Sequence, residues 1–275
     1  GMFGVVTKVL VRLMKTPPAF KTFLCVFESV DDASQAVSGI IAAGIVPAAL
    51  EMMDQLITQA LEEAYHFGFP LDAGALLIVE LDGLAKGVEQ QAKQVDEICH
   101  RNNAREVRLA VDAAERAALW KCRKRAFGAI GRLSPNYVTQ DGVVPRSKLP
   151  EIMCFINSVS DKYELRIPNV FHAGDGNIHP LILYDEREPA QVKRALQAGH
   201  DILDKCIELG GSVTGEHGLG AEKIDFMAKQ FCKDDLDAMQ QLRRVFDPDK
   251  RCNPHKMFPG GKRCAEFAQK KQIPA

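Results

Sequence analysis

The 275-residue chain lacks the marks of several large protein classes. No stretch approaches the ~18 consecutive apolar residues of a membrane-spanning helix, and no basic segment leads into an apolar run at the N-terminus. The eight cysteines, at 25, 99, 122, 154, 206, 232, 252 and 264, include no CxxC pair and none of the dense spacing of a secreted disulfide framework. They read as reduced thiols of a cytoplasmic protein, with any membrane association left to partner subunits. Neither GxGxxG nor GxxxxGK[ST] occurs, so no glycine-rich loop is available to cradle a dinucleotide, and the chain alone is not expected to hold one. HExxH is absent as well, which weighs against a hydrolytic zinc enzyme. Excess charge of either sign is also missing: 35 Lys and Arg face 36 Asp and Glu, for a net charge of −1, and this argues against nucleic acid as a partner.

What is present is a globular composition, 46% hydrophobic and 26% charged. From residue 20 short apolar strands alternate with helical patterns: strands at 20–29, 46–53, 74–82 and 105–110, helices at 31–43, 54–66 and 84–101. A long helix at 112–131 leads to a second series, strand 137–144, helix 147–162, strands 164–172 and 178–184, helix 188–209 and strand 211–214. The second series has the β-α-β-β-α-β order of a ferredoxin-like unit, and the first is nearly the same with one extra helix. The predicted fold is α+β: two ferredoxin-like units with an antiparallel sheet and helices on one face, plus a small C-terminal helical subdomain. Three parts are expected, namely a β-branched strand in 1–16, the α+β unit at 17–220, and a helical region with an irregular tail at 221–275.

The densest chemistry lies in His172-Ala173-Gly174-Asp175-Gly176-Asn177-Ile178-His179-Pro180. Asp175-Gly176 is a favoured two-residue hairpin turn, because both central positions of a type I′ turn need positive φ. That turn sets His172 directly opposite His179 on one face, where Cβ atoms lie about 4.5–5.5 Å apart and two imidazoles can converge on one first-row metal ion. Simple cross-strand packing is the bland alternative. A second cluster, Gly210-Gly211-Ser212-Val213-Thr214-Gly215-Glu216-His217-Gly218-Leu219-Gly220, sets glycines around a Glu-His pair. This suits either a close approach of backbone to a ligand or an ordinary exposed loop. Within helix 112–131, Trp120, Arg123 and Phe127 share one stripe. An arginine on such an inward face is either structurally paired or available for a carboxylate ligand.

The His172–Pro180 and Gly215–Gly220 segments resemble the two signature motifs of the FAD-linked oxidase C-terminal domain. That family includes D-lactate, D-2-hydroxyglutarate and glycolate dehydrogenases, whose full chains carry an N-terminal FAD domain of the vanillyl-alcohol oxidase type. Further segments resemble one branch, the glycolate oxidase flavoprotein subunits: Pro47-Ala48-Ala49-Leu50-Glu51-Met52-Met53-Asp54, Leu119-Trp120-Lys121-Cys122-Arg123-Lys124, Asp141-Gly142-Val143-Val144-Pro145-Arg146, Phe246-Asp247-Pro248-Asp249 and Arg263-Cys264-Ala265-Glu266. Gly1-Met2-Phe3-Gly4-Val5-Val6-Thr7 is similar to the last strand of the family's FAD domain, which implies that the flavin-binding half lies upstream.

The resemblance implies an FAD-dependent 2-hydroxy-acid oxidoreductase, turning glycolate into glyoxylate or D-lactate into pyruvate. It implies a divalent metal (zinc, manganese or iron) on His172, His179 and Glu216, His217 as catalytic base, Arg123 on the substrate carboxylate, and Asn177 and Asn253 toward the cofactor. Implied partners are the small 2-hydroxy-acid substrate, an FAD-binding domain or subunit, and further oxidase subunits including an iron–sulfur protein. The chain departs from the family at His255, where glycine is usual. Phe127 and Thr139 stand where diacid-specific relatives carry extra polar groups, which suits a small monoacid. The competing expectation is a stand-alone, non-catalytic binding or assembly module of an oxidase complex.

Overall fold

In the computed structural model, which describes residues 1–259, the expected alternation of elements is present. The first series is β1 (Ala19–Phe27), α1 (Val30–Ala42), β2 (Ala49–Asp54), α2 (Gln55–Tyr65), β3 (Ala75–Gly83), α3 (Ala85–Arg101) and β4 (Ala104–Leu109). Helix α4 (Ala113–Ile130) then leads to β5 (Asn136–Thr139), β6 (Gly142–Val143), α5 (Leu149–Tyr163), β7 (Asn169–His172), β8 (Asn177–Tyr184) and α6 (Pro189–Glu208). These strands build one eight-stranded sheet in the order β4-β1-β3-β2-β7-β8-β5, with β6 also beside β8. Every pairing is antiparallel. The two series meet at a single ladder, β2 with β7, so two halves become one sheet.

Contrary to the expectation of helices on one face only, helices cover both faces of the sheet. Phe23, Cys25 and Phe27 of β1 pack with α1, α3, α5 and α6, whereas Leu24 and Val26, pointing the other way, pack with α2 and α4. Both faces of the central strands are therefore buried. This explains why β1 and β3 read as nearly continuous apolar runs rather than as alternating ones. Each fully buried aliphatic side chain on either face, such as Leu77 on one and Ile78 on the other, contributes roughly 1.5–3 kcal/mol.

Two expected strands are not formed. Residues 1–13 pair with no strand among the described residues, and Val5, Val6, Leu10 and Leu13 stand exposed, because a strand needs a neighbour for its N–H and C=O groups. At 211–214 only a single bridge residue remains. There side chains take over the backbone groups: Gln230 Oε1 accepts from Val213 N at 3.3 Å, and Lys223 Nζ donates to Val213 O at 2.7 Å.

The chain divides into two compact units, Thr16–Gly211 and Gly1–Lys15 with Ser212–Ala275. In the second, α7 (Ile224–Gln230) and α8 (Lys233–Phe246) are followed by a turn in which Asp247 accepts from the N–H groups of Arg251 and Cys252. Phe3 lies against Phe246, with ring centroids 5.2 Å apart. The Arg263–Glu266 segment lies outside the described residues.

One buried carboxylate ties the halves of the sheet together. Asp54 caps α2 by accepting from Ile57 N, and its other oxygen accepts from Asn169 N and Nδ2 at the start of β7. Burial pushes its pKa up from 3.8 to about 6, and the three donors keep it from rising further. A folded pKa raised above the unfolded one gives stability that is present below pH 3.8 and lost as pH climbs through about 6. Across that window the wild-type advantage over Asp54→Asn is expected to shrink by on the order of 3 kcal/mol. Urea unfolding of both proteins between pH 4 and 7 measures this, and a difference that does not vary with pH would count against it.

Candidate functional site

The site is built on the sheet face covered by α4. The helix is capped by Asp112, whose side chain accepts from Glu115 N at 2.8 Å. Arg116, Trp120, Arg123 and Phe127 then recur at helical spacing along one stripe. Opposite them the strands present Thr22, Glu80, Glu51, His172 and His179. The result is a polar seam between a helix and a sheet that elsewhere meet through apolar side chains.

The upper part of the seam is fully bonded. Glu80 accepts from Arg116 Nε and Nη2 at 2.8 and 2.7 Å, from Trp120 Nε1 at 2.6 Å and from Thr22 Oγ1 at 2.8 Å. Burial acts to raise the pKa of Glu80, but these donors outweigh it and hold the carboxyl below its usual range. Such a group is a structural clasp.

The lower part has chemistry to spare. Arg123, 7% exposed, donates from Nε to Glu51 Oε2 at 2.9 Å, so the sequence question about its partner is answered by a carboxylate of the chain itself. Its Nη2 lies 2.8 Å from the same oxygen but makes no hydrogen bond, and this buried donor retains capacity for a second carboxylate. The other oxygen of Glu51 lies 2.8 Å from His172 Nδ1. His179, 2% exposed, has Nδ1 3.3 Å from the Gln140 carbonyl. A carbonyl or carboxylate beside Nδ1 favours the tautomer that carries its proton on that nitrogen. The two rings stand edge to face with centroids 5.2 Å apart, and Phe127 lies edge-on to His179 at 6.3 Å.

The hairpin reaches this arrangement by a register other than the expected one. His172 pairs with Asn177 and Val170 with His179, so the loop has four residues, Ala173–Gly176, and the two histidines are diagonal rather than opposed. Only Gly176, at φ 72°, has positive φ; Asp175 does not, so the type I′ turn is not formed. The shift is an even number of residues, and strand side chains alternate with period two, so both imidazoles still share a face. Asn177 sits on that face too, 6% exposed, and its Oδ1 has no hydrogen-bond partner.

Glu216, His217 and Asn253 belong to the second unit. Glu216 and His217 are exposed neighbours, with Oε1 and Nε2 3.7 Å apart, in a loop that Thr214 Oγ1 closes by accepting from Gly218 N. Asn253 is exposed and donates from Nδ2 to Gly1 O at 2.9 Å. His255 holds φ 64°, in the region that favours glycine. A Cβ on Gly211 would lie 1.8 Å from Val143 O, so this close approach is to the chain's own backbone and not to a ligand.

Glu51 is the site residue that sequence reasoning missed. Its signal was an acid in the apolar strand Ala49-Leu50-Glu51-Met52-Met53, on the same face as Met53.

Glycolate oxidase subunit GlcD of Escherichia coli (strain K12) is 48% identical over 267 residues, 97% of this chain and 54% of that protein. Its namesake from Bacillus subtilis (strain 168) is 40% identical over 258 residues, 94% of this chain and 55% of that one. Among solved structures, 4-ethylphenol oxidase from Gulosibacter chungangensis superposes with a TM-score of 0.66 at 17% identity, covering 90% of this chain and 55% of its own, which shows a shared fold. The chain spans about half the length of the curated relatives it matches. The family model for FAD linked oxidases, C-terminal domain, matches residues 16–257, and the chain belongs to that family.

Proposed function

We propose that the chain supplies the substrate- and metal-binding half of an FAD-dependent 2-hydroxy-acid oxidoreductase that converts glycolate to glyoxylate, with D-lactate to pyruvate as the alternative. The observation that carries this is the pair of imidazoles on one sheet face, each anchored through Nδ1, beside a buried arginine with donor capacity to spare. This donor set suits zinc, manganese or iron, since outer carboxylate and carbonyl partners are what orient ligating histidines.

In this reading His172 and His179 offer Nε2 to the metal, and Glu216 completes the set with a carboxylate oxygen. A divalent ion there supplies charge that favours the alkoxide form of the substrate hydroxyl. Arg123 receives the substrate carboxylate through its remaining N–H groups. His217 takes the hydroxyl proton on a ring nitrogen. FAD, when bound, supplies the acceptor for the α-hydrogen as hydride. Asn177 and Asn253 are the polar side chains of this chain proposed to face the flavin. Phe127, edge-on to His179, offers an apolar ring and no polar partner for a second carboxylate, which favours a monoacid over a diacid.

Partners in this proposal are an FAD-binding domain or subunit and further oxidase subunits, an iron–sulfur protein among them, in the cytoplasm. No described helix is long and apolar enough to cross a membrane.

The test is turnover by the chain assembled with an FAD-binding portion, followed by reduction of an acceptor dye. Glycolate and D-lactate should be oxidised, and 2-hydroxyglutarate at least tenfold less efficiently in kcat/KM. A protein equally active on the diacid would overturn the assignment of Phe127.

A further inference from the structure

We infer that Glu51 is a positioning residue that sets two groups at once: one carboxylate oxygen keeps the proton of His172 on Nδ1, and the other holds Arg123. The assignment rests on the function proposed above for those two residues.

Three observations lead to it. Glu51 and His172 are direct partners in the β2–β7 ladder, so their side chains leave the sheet side by side on the face covered by α4. Arg123 comes down on them from α4, and the Arg123–Glu51 pair is withdrawn from water, with side-chain exposures of 9% and 12%. Each carboxylate oxygen has its own donor, Oε1 with His172 Nδ1 at 2.8 Å and Oε2 with Arg123 Nε at 2.9 Å. An ionised carboxylate only accepts, and both neighbours donate, so the three groups fit one proton arrangement.

That arrangement has a consequence for the ring. Imidazole can bind a metal through Nε2 only if its proton sits on Nδ1, and the acceptor beside Nδ1 decides this. Each oxygen of Glu51 already accepts from one of the two groups it faces, and that is the arrangement of a positioning residue. It acts through the residues it orients.

Glu51→Gln separates this role from simple packing. The amide keeps the size but has one accepting oxygen and one donating NH2. Arg123, always charged, takes the oxygen. His172 Nδ1 then faces a donor, must accept, and its proton moves to Nε2 with no net change in protonation.

Long-range 1H–15N NMR of the ring nitrogens in the 275-residue chain reads this directly. Wild type should show His172 protonated on Nδ1, and the Gln variant should show it protonated on Nε2 while His179 is unchanged. Calorimetric titration with Zn2+ alone should show affinity lower by about 10–100-fold in the variant. If the variant does not fold, the wild-type spectrum decides, and a His172 proton on Nε2 there would overturn the proposal. A folded variant with His172 unchanged would overturn it too. A variant in which the proton moves while neither protein binds Zn2+ supports the role of Glu51 and instead counts against the metal.

Discussion

Gly176→Ala is expected to cost about 2–5 kcal/mol, the sum of a left-handed residue and an overpacked contact. Gly176 holds φ 72°, and a Cβ built there would lie 2.1 Å from the Val144 carbonyl oxygen. The approach is part of the site's scaffold, since Val144 N donates back to Gly176 O at 3.0 Å and so pins the hairpin loop to the strand β6 region. Gly44 provides the control. It is also left-handed, at φ 76°, but a Cβ there meets nothing within 4 Å, so Gly44→Ala should show only the strain of about 1–2 kcal/mol. Denaturant unfolding of the two variants separates strain from clash. Equal losses would mean that the approach to Val144 carries no weight.

In the enzyme assembled with an FAD-binding portion, His217→Ala and His172→Ala should both abolish most turnover but part company over the metal. Removal of a general base costs about 10²–10⁴-fold in rate, and that loss is expected for His217→Ala with metal content unchanged. His172→Ala removes a proposed ligand, whose Nδ1 lies 2.8 Å from Glu51, and metal content itself should fall if the proposal holds. Elemental analysis beside dye-linked assays reads both quantities. Metal lost from His217→Ala would make His217 a ligand and would leave the base unassigned.

Much of this was legible in the sequence, for identifiable reasons. The strand and helix order follows from apolar periodicity, and the stripe of Trp120, Arg123 and Phe127 from helical spacing. The histidine pair was found through a turn that does not form, because Asp175 avoids the positive φ a type I′ turn requires. It survived because a shift by two residues keeps every side chain on its own face. The placement of helices was misread, although β1 and β3 carried the clue: strands buried on both sides have no polar face to alternate with. Glu51 was not recognised because nothing local distinguishes a site acid from a solvated one. Its meaning comes from β7 and α4, 121 and 72 residues away in sequence.

The β2–β7 ladder also limits how this fold can be rearranged. Glu51 comes from one half of the sheet and His172 from the other, so neither half contains the pair. Loops within a half can be exchanged without touching it. A recombination event that replaces a whole half must instead re-create one three-residue pairing, Glu51 with His172, Met52 with Phe171 and Met53 with Val170, in register. A slip of a single position there turns Glu51 to the opposite face, into the apolar layer beneath α1 and α5, and takes the partners of Arg123 and His172 away together. Each half of the sheet is thus committed, through that short ladder, to the register of the other.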